Sequence, residues 1–170
     1  MKSFLAIAAS LVCQSYALIS DAPYFTNSSR PLVLAHRGSA GLFPEHTLGA
    51  YSSAFVEGTD FVELDIQITK DGHLITSHDP TLKDCSNVMD FKDKYADRMG
   101  NFHFPYPYEN SYKDDFLVND FTLEEIKSLN RKMRYSHRNQ QLNHVFKYLT
   151  LNETIELMFT LQKQYPRAQG

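Results

Sequence analysis

The sequence predicts an α/β fold, and three observations carry that prediction. Leu32-Val33-Leu34-Ala35 is a short apolar run ending at His36-Arg37-Gly38, the pattern of a buried strand that stops at polar residues. From Thr47 onward, Leu48, Tyr51, Ala54 and Phe55 recur at helix spacing; Pro44 sits just ahead of that start and Gly58 is placed to stop it. Phe61 to Ile68 then alternates strictly, with Val62, Leu64, Ile66 and Ile68 on one face and Glu63, Asp65 and Gln67 on the other with Phe61.

The remaining elements follow in order. Asp71-Gly72 is a tight-turn pair, and His73 to Ser77 returns as a further strand ending at His78-Asp79. Between Lys83 and Asp120 the periodicity gives way to polar and aromatic residues, with Phe102, Phe104, Tyr106 and Tyr108 alternating with His103, Pro105 and Pro107. So long a connection is either functional or a small insertion. Its rings are read as the core of a small subdomain, with a lid as the alternative. Thr122-Leu123-Glu124-Glu125 and Thr150-Leu151-Asn152-Glu153 each carry the Thr-x-x-Glu signature of a helix start. The second of these helices is expected to bury a stripe of Ile155, Met158 and Phe159. Another strand is expected just after Tyr165-Pro166.

The 170 residues suggest one domain at most. With 42% hydrophobic residues, 22% charged residues and a net charge of −3, nothing is basic enough to suggest nucleic acid. No apolar run is long enough for a stable membrane span. At the N-terminus, Lys2 precedes the apolar run Phe4 to Val12, and Ser15-Tyr16-Ala17 has the small-x-small form of a signal-peptidase site. Residues 1–17 are therefore expected to be a cleaved signal peptide, and the protein secreted to an extracellular, periplasmic or lumenal space. The alternative is a buried N-terminal helix. With Cys13 in the signal, Cys85 is left to be buried or paired elsewhere. Asn27-Ser28-Ser29 and Asn152-Glu153-Thr154 are sequons that would carry glycans in a eukaryotic host.

The candidate chemistry sits at strand ends. Glu63 and Asp65, two apart on a strand, point the same way at about 7 Å spacing. Two carboxylates in a water-poor site repel each other unless paired or bound to a cation, and a hard ion such as Ca²⁺ or Mg²⁺ satisfies them. An isolated Glu-x-Asp on an edge strand is more often a solvated polar face. His36 and His78 each end a predicted strand, where α/β folds place catalytic groups, and imidazoles give and take protons near neutral pH. Arg37 offers a planar fork suited to phosphate. Singly, each residue has a structural explanation; the set at neighbouring strand ends is much harder to explain that way.

Leu34-Ala35-His36-Arg37-Gly38, Phe43-Pro44-Glu45-His46-Thr47, Glu63-Leu64-Asp65, Thr69-Lys70-Asp71-Gly72 and Ser77-His78-Asp79, in this order and spacing, resemble the signature of glycerophosphodiester phosphodiesterases. Weaker resemblance continues through Asp120 to Leu129, closer to the secreted or periplasmic branch. The resemblance implies a TIM (β/α)8 barrel, with residues 30–170 as its N-terminal part, an insertion at 83–120, and the C-terminal half missing. It also implies His36 and His78 as acid and base, Arg37 on the phosphate, and Glu63 and Asp65 as ligands of Ca²⁺ or Mg²⁺. Glu45 falls in the same pocket without a settled role, and His46 stands where many relatives carry asparagine. The implied substrate is a small glycerophosphodiester, split into glycerol 3-phosphate and an alcohol. A barrel takes about 250 residues, so these residues alone are expected to be inactive. The alternatives are a barrel relative acting on sphingomyelin or lysophospholipid, or a non-catalytic phosphodiester-binding remnant.

Overall fold

The computed structural model describes residues 30–104 and 110–165. Every element below belongs to one compact unit that begins at Leu34. The expected signal peptide, the sequon at Asn27, and Tyr106 and Tyr108 lie outside the described residues.

β1 (Leu34–His36) leads through a loop to α1 (Leu48–Val56), then β2 (Phe61–Glu63), β3 (Ile66–Ile68) and β4 (Leu74–Thr76). β1 pairs with β2 in parallel, in a register that sets His36 opposite Glu63. This strand–helix–strand unit is the α/β core of the prediction. The expected continuous strand from Phe61 to Ile68 is instead two short strands. After Glu63 the chain leaves β1, and Ile66–Ile68 pairs antiparallel with Leu74–Thr76. Leu64-Asp65 is the crossover, pinned by the Ser77 N–H donating to the Asp65 carbonyl at 3.1 Å. Change of partner, which period-two alternation cannot signal, is what breaks the strand.

Local signals are realised closely. Thr47 caps α1 by accepting the Ala50 N–H, and Gly58 follows its end with φ +80°. The β3–β4 turn has Gly72 at φ +84°, with Thr69 Oγ1 accepting the His73 N–H at 2.9 Å. Thr122 and Thr150 form full capping boxes with Glu125 and Glu153 at the starts of α2 (Leu123–Ser128) and α3 (Leu151–Gln164). The side-chain oxygen satisfies an otherwise orphaned N–H, so these starts depend on neighbours only.

Burial departs from the prediction at several apolar faces. Leu34 of the strand expected to be buried is exposed, as are Ile66 and Ile68. α1 buries Gly49, Ala50, Tyr51 and Ala54 and leaves Leu48 exposed. α3 packs against α1 and β4 but buries Thr154 and Leu161, while Ile155 and Phe159 of the expected stripe are exposed. Periodicity identifies a shared face; it does not say which face meets another element.

The polar and aromatic stretch after Lys83 contains two 3₁₀ turns, Val88–Phe91 and Ala96–Arg98, and the antiparallel pair β5 (Gly100–Phe104) and β6 (Asn110–Asp115). Leu82, Val88, Tyr95, Phe116, Val118 and Phe121 pack in one cluster with Ile75 of β4 and Ile126 of α2. Tyr95 meets Phe121 edge-on at 4.8 Å between ring centres, and Arg98 lies over both rings while pairing with Glu125. Tyr95, Phe116 and Phe121 thus fasten this stretch to β4, which leads to the candidate site.

Candidate active site

The site begins where β1 and β2 end side by side. His36 Nε2 stands 3.9 Å from Glu63 Oε2, and the His36 side chain is 66% exposed, open to a ligand from solvent. Arg37 follows in the left-handed region at φ +63°, which turns its N–H onto Glu63 Oε2 at 3.1 Å. Its carbonyl accepts the N–H of His46, which is itself left-handed at φ +57°. Two non-glycine residues in this conformation cost about 1–3 kcal/mol each. Their mutual hydrogen bond and the carboxylates around them hold the strain at the site.

Arg37 is gathered among acids. Its Nη1 donates to Glu45 Oε2 at 3.2 Å, and its Nε lies 3.2 Å from Asp65 Oδ2. The Nε–H is not aimed at that oxygen and makes no hydrogen bond, so the pair is ionic only. Asp65 Oδ2 also meets His46 Nε2 at 3.2 Å, and His46 Nδ1 meets the Tyr51 hydroxyl at 2.9 Å. Burial, with Arg131 adding to it, lowers the His46 pKa to about 3. At neutral pH His46 is a fixed neutral link between α1 and Asp65, not a proton carrier.

Glu45 is the hub. Its side chain is only 4% exposed, and three guanidiniums surround it: Arg37, Arg131 (Nη2 3.8 Å from Oε1) and Arg134 (Nε 3.6 Å from Oε2). Burial alone pushes its pKa up, but Arg131, Arg134 and Arg37 overcome that and hold it down at about 2. A carboxylate with a depressed folded-state pKa stabilises the fold fully above its unfolded value, 4.5, and loses that contribution as pH falls toward 2. The Glu45→Gln variant should therefore lose about 3 kcal/mol of the acid-sensitive stability between pH 5 and 2. Urea titrations of both forms across that range check this; parallel pH profiles would contradict it.

Cys85 resolves as a buried free thiol, with Sγ donating to Glu45 Oε1 at 3.6 Å. Burial raises its pKa to about 12, Arg131 opposing, so it is inert packing at neutral pH.

His78 closes the other side. Its Nδ1 lies 2.7 Å from Asp79 Oδ1, and its carbonyl accepts from Gln67 Nε2 at 3.0 Å. Arg134 pairs with Asp79 Oδ2 and, through Nε, faces Glu45. A continuous chain of contacts thus runs from His36 through Glu63, Arg37, Glu45, Arg134 and Asp79 to His78. Arg131, Arg134 and Asp79 did not emerge as site residues from sequence reasoning. Asn130-Arg131-Lys132-Met133-Arg134 carries no motif of its own; the three-residue spacing of its arginines is the one signal available.

Among the described residues no group of three or more His, Cys, Asp or Glu side chains is gathered as a metal cage. Glu63 and Asp65 each engage one carboxylate oxygen with protein donors. Carboxylate oxygens are the donor type that a hard ion such as Ca²⁺ or Mg²⁺ takes, about six or more to an ion. A separate hollow lined by His73, Leu74, Thr150, Leu151, Asn152 and Ile155 contains none of these groups.

The profile of the glycerophosphoryl diester phosphodiesterase family matches residues 36–169, from the first candidate histidine almost to the end of the chain. The chain belongs to this family. Glycerophosphodiester phosphodiesterase GDPD6 of Arabidopsis thaliana is 43% identical over 146 residues, covering 84% of this chain and 38% of the relative. The glycerophosphodiester phosphodiesterase of Haemophilus influenzae is 28% identical over 153 residues, again 84% of this chain and 38% of the relative. The chain thus spans well under half the length of these family members. A phosphodiesterase from Oleispira antarctica, solved with the product sn-glycerol-3-phosphate, superimposes with a TM-score of 0.55 at 26% identity, over 77% of this chain and 41% of that one. The glycerophosphodiester phosphodiesterase from Agrobacterium tumefaciens shares the fold with a TM-score of 0.55 at 20% identity, over 78% of this chain and 44% of that one. The α/β fold is therefore that of the phosphodiesterase family.

Among the described residues no helix is long and apolar enough to cross a membrane.

Proposed function

We propose that this site hydrolyses glycerophosphodiesters such as glycerophosphocholine or glycerophosphoethanolamine to glycerol 3-phosphate and the head-group alcohol. One observation carries the reading: His36 at the end of β1 and His78, two residues past β4, are joined by one network that also holds Arg37, Glu63 and Asp65. The named activity of the relatives supports it.

His36 and His78 serve as the acid–base pair. One takes the proton of the attacking hydroxyl, from water or from the substrate's glycerol; the other protonates the departing alkoxide. Arg37 orients the phosphate. Glu63 and Asp65 hold Ca²⁺ or Mg²⁺, which when bound neutralises phosphate charge and lowers the pKa of a bound hydroxyl. Glu45 stays ionised and keeps Arg37 and Arg134 in place. The residues form the N-terminal part of a TIM barrel with an insertion at 83–120, matching 38% of the length of the relatives. Residues 1–17 direct the protein to the secretory route.

The test is to incubate the native protein that carries these residues with glycerophosphocholine and Ca²⁺ or Mg²⁺, and to follow products by ³¹P NMR. Metal-dependent release of free glycerol 3-phosphate is expected. A cyclic phosphate product, or binding without turnover, overturns the reading.

A further inference from the structure

Asp79 is a buried carboxylate, 3% exposed, beside a histidine that is 38% exposed. Its two oxygens have different tasks. Oδ1 lies 2.7 Å from His78 Nδ1, with the Tyr112 hydroxyl of β6 reaching the same oxygen at 3.5 Å. Oδ2 is taken by Arg134 Nη2. Arg134 is itself 15% exposed and is braced on its far side by Glu45.

His78 Nδ1 faces two groups, and they demand opposite proton positions. Toward Asp79 it must donate; toward Arg134 Nη2, 3.4 Å away, it must accept. The shorter, charge-assisted contact to the carboxylate wins. Nη2 carries two N–H groups, and one of them serves Asp79 Oδ2. With Nδ1 protonated, Nε2 is the nitrogen left to accept or return a proton.

We propose that Arg134 is a positioning residue that clamps Asp79 so that its Oδ1 fixes His78 in the Nδ1–H tautomer, presenting Nε2 for proton transfer. This rests on the reading that His78 moves a proton in the reaction. Arg134 supplies a positive partner that offsets the burial of the Asp79 carboxylate. Without it the carboxylate loses its partner on Oδ2, and its hold on the imidazole weakens.

The test is ¹⁵N-histidine NMR of the full chain at alkaline pH, where the imidazole is neutral, with the His78 signals assigned by their loss in His78→Gln. Wild-type His78 is expected in the Nδ1–H form. Arg134→Met should move the tautomer ratio toward Nε2–H on the order of tenfold, and Arg134→Lys should restore part of it. An arginine that only props up the fold would lower stability without changing the tautomer of the folded molecules. If Arg134→Met does not fold, the wild-type spectrum still decides, because an Nε2–H His78 overturns the proposal. An unchanged ratio in folded Arg134→Met overturns it as well. The readout needs no turnover, so a failure of the hydrolytic reading leaves it standing and is seen separately in the ³¹P assay.

Discussion

Replacing Arg131 by alanine is expected to destabilise the fold by about 3–5 kcal/mol, the range for breaking a buried charge pair from one side. Arg131 has no exposed surface, and it holds three things at once. Its Nε and Nη2 donate to the Glu45 carbonyl at 3.2 and 2.7 Å. Its guanidinium faces the Glu45 carboxylate and lies over the Tyr148 ring at 4.5 Å. Its backbone, with N–H on Phe146 and carbonyl taking the His144 N–H, ties the 131–146 segment together. Alanine keeps the backbone bonds but leaves a buried carbonyl unpaired, a cavity against Tyr148, and Glu45 with weaker compensation. Against a total stability of about 5–15 kcal/mol, the loss should appear as a large drop in the urea midpoint. A change below about 1 kcal/mol would mean that Arg37 and Arg134 satisfy Glu45 by themselves.

Gly38→Ala is expected to cost nearly as much, for a different reason. Gly38 has φ +78°, and a Cβ there would stand 2.7 Å from both the carbonyl carbon and oxygen of Ala50 and 2.9 Å from its Cβ. The clash is with α1 backbone, which cannot rotate aside. Backbone strain and overpacking together amount to about 2–6 kcal/mol. Relief requires α1 to move away from the loop that carries His36 and Arg37, so the site should loosen with the fold. Gly72→Ala is the control. Its φ is +84°, but nothing lies within 4 Å of the added methyl. Strain alone should cost about 1–2 kcal/mol. Equal losses in thermal or urea unfolding would show that conformation matters at Gly38 and packing against α1 does not.

What the sequence made legible is what neighbours in the chain decide. The caps at Thr47, Thr122 and Thr150 and the turn at Gly72 depend on residues within four positions. The strand ends at His36 and His78 were visible for the same reason, as apolar runs meeting polar ones. Long-range choices were hidden. Nothing local announces that the chain exchanges β1 for β4 as its partner at Leu64-Asp65. Asn110 to Asp115 reads as a polar loop, yet it forms β6 and brings the Tyr112 hydroxyl to Asp79. Arg131 and Arg134 were invisible because a buried arginine is recognised only by its acid, and Glu45 lies 86 residues from Arg131. Apolar periodicity also overstated burial at Ile66, Ile68, Ile155 and Phe159.

The central claim is that His36 and His78 are the acid–base pair of a phosphodiester hydrolase, and alanine at each in turn tests it most directly. In the native protein carrying these residues, with saturating Ca²⁺ or Mg²⁺ and glycerophosphocholine, each variant should lose a factor of about 10² or more in kcat. Circular dichroism should remain unchanged, because His36 is exposed and His78 lies at a strand end. Retained turnover in both variants would contradict the assignment.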